Sequence, residues 1–363
     1  MYRHVRHWIL YCTGDMAEFR KLVDGQPFLV QFADWSLRGM AQVIMVNNPI
    51  SGALILAALI VESPWQAFLG TLGLLVSTFT AVIIGMDSAE VSNGVHGFNG
   101  VLVSLLIGVF SSAGDWYWWL LFPVCMAAAT CTFVSSGLAS LLHGWDLPVS
   151  AFPFNTVIIL YLSCTGSANP YFPHRVPVAP EASEPGNSTQ LNTGELLQGV
   201  LLGIGQIYAC AELWPSAMIL VAVFIFSPLL CTHALLGSGA GTLAGLSVAS
   251  PHTLLYTGLS GFNGALGCMA IGGLFFTLNW KTHLLSIASG FLSSYSNIAL
   301  SNLLGQVGLP ACSWAATLTA SLALLLSGHN LSAYRIPTSR VATPERNRRT
   351  QTHRPGPGTE STV

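Results

Sequence analysis

The sequence predicts an all-α polytopic membrane protein of ten transmembrane helices, arranged as two inverted five-helix repeats. Three observations carry that prediction: scarce charge, apolar windows of bilayer length, and landmarks that recur at a nearly constant offset. Only 8% of the 363 residues are charged and 52% are apolar, whereas a soluble domain carries about 25% charge. Apolar windows fall at 67–86, 117–142, 217–236 and 254–278, each near the roughly 20 residues that cross a hydrocarbon core. Shorter windows at 148–164 and 309–327 carry prolines. Shifted by 164 residues, Gln42 falls on Gln206, Ser63-Pro64 on Ser227-Pro228, Leu72-Gly73 on Leu236-Gly237, and Gly97–Gly100 on Gly261–Gly264. Shifted by 162, Leu147-Pro148 falls on Leu309-Pro310. Chance could give one such match, but not the ordered set, so the chain reads as an internal duplication.

Charge distribution sets the topology. Arg3, Arg6, Arg20, Lys21 and Arg38 precede the first apolar windows, and Arg335, Arg340, Arg346, Arg348, Arg349 and Arg354 follow the last. Only Arg175 and Lys281 lie between. The positive-inside rule then puts both termini in the cytoplasm. A polar stretch rich in Pro, Ser, Asn and Glu joins the halves and is expected outside, so each half crosses an odd number of times and the second is inverted. The expected organisation is a cytoplasmic segment 1–38, a first membrane repeat 39–164, an extracellular connection 165–194, a second repeat 195–330 and a disordered cytoplasmic tail 331–363. The connection holds the sequon Asn187-Ser188-Thr189, which makes Asn187 a glycosylation candidate. The early apolar run 8–12 is too short for a signal sequence, so the first membrane helix is expected to direct insertion. The eight scattered cysteines form no CxxC pair and read as small buried hydrophobes.

Polar and irregular positions inside apolar sequence mark candidate function, because lipid tolerates them only where they line a cavity or are buried in protein. The stretch QVIMVNNPISG, 42–52, must break a helix; its asparagines either line a passage or cap the next helix. Gln42 and Gln206 each offer one acceptor and two donors, suited to a neutral amide or hydroxyl solute. The duplicated pentads HGFNGVL and SGFNGAL place Phe98 with Leu102, and Phe262 with Leu266, on single helical faces. Two inverted copies would bring paired flat rings into a slot, with glycines allowing close approach and the asparagine orienting a neighbouring helix end. The proline-bearing stretches LPVSAFPFN, 147–155, and LPACSWAAT, 309–317, suit short broken or re-entrant half-helices lining a central pore.

Ionisable residues argue by their scarcity. Glu62, Asp87, Glu90, Asp115, Asp146 and Glu212 flank the apolar windows rather than occupy their centres, so no ion-coupling relay is expected. His96, His143, His233, His252 and His283 lack metal-ligand spacing and read as structural. No phosphate-binding loop, nucleophile elbow or zinc motif occurs. Passive movement of an uncharged solute is the expectation, with no cofactor and no catalytic set.

The motifs NNPISG, GFNG in both halves, LP…FPFN and GGLFFTLNWKTHLL (272–285) together resemble the vertebrate urea transporters over roughly residues 20–330. The resemblance implies facilitated, channel-like passage of urea through a plasma-membrane homotrimer with one pore per protomer. It places Phe98, Leu102, Phe262 and Leu266 on the slot walls. It puts Gln42 with Val43 at the outer end of the filter, and Gln206 with Ile207 at the inner end. The family's LPxxTxPF pattern puts a threonine hydroxyl mid-filter in each half, where this chain has Ala151 and Ser313. AELWPS, 211–216, also replaces the family's second Asn-Pro motif, leaving Glu212 as either a helix cap or a vestibule charge. These departures leave two alternatives: a broader channel for urea analogues, ammonia or water, and a transport-inactive structural membrane protein.

Overall fold

The computed structural model describes residues 12–166, 168–172 and 191–352; the sequon at Asn187 lies outside them. The described chain is helical, with a single antiparallel bridge between Phe276 and Arg335. Helix α1 (Ala17–Val23) leads to α2 (Phe28–Gln42), α3 (Pro49–Glu62), α4 (Pro64–Ile83), the short α5 (Ser88–Ser92), α6 (Gly97–Phe110), α7 (Leu121–Leu142) and α8 (Phe152–Thr165). After the connection come α9 (Thr193–Gly205), α10 (Leu213–Phe226), α11 (Pro228–Ser247), the short α12 (His252–Tyr256), α13 (Phe262–Met269), α14 (Trp280–Gly305) and α15 (Trp314–Leu324). Helices α16 (His329–Ser332) and α17 (Pro344–Thr352) follow.

The helix boundaries follow from local chemistry. Asn48 caps α3 by accepting from the backbone N–H groups of Ile50 and Ser51 at 2.8 and 3.0 Å. Ser63 and Ser227 cap α4 and α11, each with proline in the first turn, where its missing N–H costs nothing. The repeated Ser-Pro landmark is therefore a helix start. It cuts the apolar window 217–236, expected to be one crossing, into α10 and α11. The window 254–278 is likewise not one helix. It contains the end of α12, a turn, α13 and a wide turn at Ala270–Leu274 in which Gly273 takes φ 113°. Among the described residues, Pro64–Ile83, Trp118–Trp145 and Pro228–Ser247 are long and apolar enough to cross a membrane. The segments Thr193–Tyr208 and Leu213–Phe226 pass the same test together, bent by 77°.

The 164-residue offset carries through to the backbone. Shifted by it, the bounds of α3, α4 and α5 coincide with those of α10, α11 and α12. Met45 and Ala209 both adopt left-handed backbone, φ 59° and 57°, as do Gly94 and Gly258, φ 73° and 79°. At the 162 offset, Ser150 and Cys312 share φ 51° and 47°. Helix α4 packs on α6, and α11 on α13, through one glycine pair in each half. A Cβ on Gly73 would collide with the carbonyl of Gly100, and one on Gly237 with that of Gly264.

Two boundaries differ from the sequence expectation. Helix α2 begins at Phe28, inside the segment expected to precede the membrane. Of the charges that suggested water there, Arg38 is internal: it pairs with Asp34 at 2.8 Å, the two side chains 0% and 5% exposed. Residues 331–352 also fold against the helical body, where disorder was expected. Arg335 and Thr338 bond to Asp146, Arg346 pairs with Asp15 at 2.9 Å, and Glu345 accepts from Ser227 Oγ and Leu229 N. Asn347 donates to the carbonyls of Gly273 and Leu274. Composition alone suggests a solvated tail, but these long-range partners offset its low apolar content.

Candidate functional site

A single cavity of about 1360 Å³ is lined by residues from both halves, and Gln42, Val43, Phe98, Leu102, Ala151, Gln206, Ile207, Phe262, Leu266 and Ser313 all face it. Equivalent polar contacts hold the two ends. Gln42 Nε2 donates to the carbonyl of Asn93 at 3.1 Å, and Gln206 Nε2 to that of Thr257 at 2.9 Å; these partners are also 164 residues apart. Each amide is thereby fixed through its donor, leaving its oxygen as the group available to accept. Val43 and Ile207, next along the chain, are buried.

The pentads supply the walls. Phe98 and Leu102 lie in the first turns of α6, Phe262 and Leu266 in those of α13. The asparagine between them orients a neighbouring chain, as expected. Asn99 donates to the carbonyl of Ser150 and accepts from Phe154 N. Asn263 donates to the carbonyl of Cys312 and accepts from Ala316 N. Each asparagine thus clamps a left-handed loop residue and the first turn of the following helix, α8 or α15. Asn263 also donates to Asn297 at 2.9 Å.

The loops carried by these clamps bring Ala151 and Ser313 to the cavity. The adjoining residues are equivalent under the 162 offset and touch each other: the Phe152 and Trp314 rings meet edge to face at 5.8 Å between centroids. Helices α3 and α10, also equivalent, pack together. Ala151 presents a methyl group and Ser313 a hydroxyl. The surrounding Leu105, Leu106, Phe98, Phe262, Leu266 and Thr317 carry no charge.

The two mouths differ. At the Gln42 end the cavity meets Asp15, Arg20, Asn47, Asp87, Glu90, His143, Asp146 and the tail residues Thr338, Ser339 and Thr343. Asn47 joins this end to the chain's first helices: it accepts from Arg20 and Arg38 and donates to Asn93. The Asn47-Asn48 pair thus divides the two readings of its motif, one residue lining the cavity and the other capping a helix. At the Gln206 end the lining is Val248, Ala249, Ser250, Pro251, Ser301 and Asn302. Glu212 does not line the cavity and, although it stands at the cap position of α10, its side chain makes no capping bond. Glu62 instead holds the chain just before that helix, accepting from Ala211 N at 3.0 Å and Glu212 N at 3.2 Å.

Sequence reasoning missed the polar support behind the walls. Asn155 and Thr317 stand four residues after Ala151 and Ser313, and that shared spacing was the available signal. Arg38 was counted as a cytoplasmic charge, though it sits on a helix with an apolar face. Nothing in the sequence placed the tail hydroxyls Thr338, Ser339 and Thr343 at the cavity.

All-helical architecture, apolar outer surfaces and a passage with an uncharged middle define a membrane transport protein suited to a neutral solute. The sequence pattern of the urea transporter family matches residues 33–328, and the chain belongs to that family, which is one of transporters and not of enzymes. It is 46% identical to urea transporter 1 of Rattus norvegicus over 339 residues, which cover 93% of this chain and 88% of that protein. Urea transporter 1 of Ovis aries is 45% identical over 340 residues, with the same shares covered.

Proposed function

We propose that the chain carries urea across the plasma membrane down its gradient, as a channel-like facilitator without ion coupling. Membership of the urea transporter family supports the solute. The observation that carries the reading is the set of residues from both halves, at equivalent positions, on one cavity whose middle bears no charge. Urea is planar, so the ring faces of Phe98 and Phe262 can sandwich it. Its four N–H groups lose water on entry, and the oxygens of Gln42, Gln206 and Ser313 can replace that water in steps. An ion gains too little from such walls to offset its dehydration.

Ten membrane helices in two inverted repeats, 39–164 and 195–330, fit the paired bounds, paired left-handed residues and paired clamps. Helix α2 extends the first repeat back to Phe28. With both termini cytoplasmic, Gln42 and Val43 close the inner end and Gln206 and Ile207 the outer, the reverse of the order expected from the resemblance. The links from Gln42 through Asn93, Asn47 and Arg38 to the N-terminal segment support this order. A homotrimer with one passage per protomer, and glycosylation at Asn187, complete the proposal.

Reconstitution tests it: proteoliposomes holding the protein should release urea faster than empty vesicles under an outward gradient. Equal rates would overturn the proposal. Ala151 favours one second reading, a channel that also passes water or urea analogues, because half the mid-passage hydroxyl pair is missing.

A further inference from the structure

Behind the cavity wall at Ala151 and Ser313, one side chain joins the two halves. Asn155, on α8, is fully buried. Its Nδ2 donates to the carbonyl of Ala151 at 2.9 Å and to Ser313 Oγ at 3.1 Å. Its Oδ1 accepts from Ser313 N at 3.1 Å and lies 3.3 Å from Ser313 Oγ. The amide orientation is forced, because a backbone carbonyl needs the nitrogen on one side and a backbone N–H needs the oxygen on the other. The equivalent residue, Thr317, copies only part of this: its Oγ1 donates to the Ser313 carbonyl at 2.9 Å. A threonine is too short to reach across to the opposite half. The bridge is therefore single, and it ends on the only hydroxyl that the Ala151–Ser313 pair retains.

The Ser313 hydroxyl sits within reach of both a donor and an acceptor on one rigid amide. It can accept from Nδ2 while turning its proton into the cavity, or give its proton to Oδ1 while offering a lone pair. Urea presents both kinds of group, N–H donors and a carbonyl acceptor. We propose that Asn155 is a positioning residue for permeation, holding the Ser313 hydroxyl at the cavity wall in a form that serves either end of the solute. This rests on the urea-channel reading above. Asn155 does not itself line the cavity; it acts through Ser313. The same contact explains how one hydroxyl can serve where the family pattern has two: an ambivalent group meets in turn what two fixed ones would meet separately.

The test is a double-mutant cycle in proteoliposomes, with urea and thiourea as solutes and flux scaled to incorporated protein. Asn155→Thr keeps a donor for the Ala151 carbonyl, as Thr317 does for Ser313, but removes the bridge. It should lower urea flux about fivefold, the weight of roughly one hydrogen bond. It should also change the urea-to-thiourea ratio, since thiourea's sulfur accepts hydrogen bonds poorly. In a Ser313→Ala background the same substitution should change flux less than about twofold, because its target is gone. An equal loss in both backgrounds would show that Asn155 only packs α8, and would overturn the inference. So would unchanged flux and ratio in Asn155→Thr. Thermal melting of each variant separates misfolding from a permeation defect. Loss of urea flux in the parent protein is a different result and removes the channel reading itself.

Discussion

The two asparagine clamps show how much one buried amide can hold in a membrane interior. Asn99 satisfies a carbonyl and an N–H that lie four residues apart on a loop entering α8. Replacing it by alanine leaves both without their side-chain partner at the point where the loop enters α8. Asn99→Ala should cost about 2 to 3 kcal/mol, read as a lower melting temperature in detergent. Asn263→Ala should cost at least as much, since Asn297 loses its donor as well. The ring walls should behave differently. Phe98→Ala and Phe262→Ala, each made alone, should reduce urea flux while leaving the melting temperature closer to the parent, because both rings face the cavity. Unchanged flux in both would exclude the slot. Ala151→Thr should restore a second mid-passage hydroxyl and shift the ratio of urea to water permeability, measured side by side with the parent.

Helix contacts are set by glycines whose spacing the sequence displays but whose partners it does not. The Gly73–Gly100 contact lets α4 and α6 touch backbone to backbone. Gly73→Ala should therefore destabilise strongly, whereas Gly239→Ala on α11, which meets open space, should be neutral or slightly stabilising by helix propensity. Comparing the two melting temperatures checks the contact. The duplicated Ser-Pro, Leu-Gly and GFNG landmarks were legible because they recur in the same order at one offset. The helix ends around Ser227 and within 254–278 were not, because hydropathy records what a residue dislikes and not which way the chain turns. Glu62 was illegible for another reason. Its hold on the chain entering α10 joins residues far apart in sequence, and only folding brings them within 3.2 Å.

At the scale of the whole molecule, the segment after α15 closes one side of the structure. Asp146 is its main anchor, meeting Arg335 and Thr338. Asp146→Ala should speed hydrogen exchange across 335–352 while leaving α4 and α6 protected, since neither helix bonds to that carboxylate or to the tail. Equal acceleration everywhere would mean that the segment is integral to the body. The tail was unreadable in sequence because its stability comes from distant partners and not from its own composition. The contact between Phe152 and Trp314 has a different kind of consequence. Where a duplicated position meets its own counterpart, two separate identical subunits would have to place the same residue on both sides. A single covalent chain has no such obligation. Phe152 beside Trp314 is one such difference, and Asn155 on the Ala151 carbonyl and the Ser313 hydroxyl, with Thr317 at the equivalent position, is another. Two identical halves with asparagine at this position would set two amides competing for one space; this chain spends one, and its other position is free to vary.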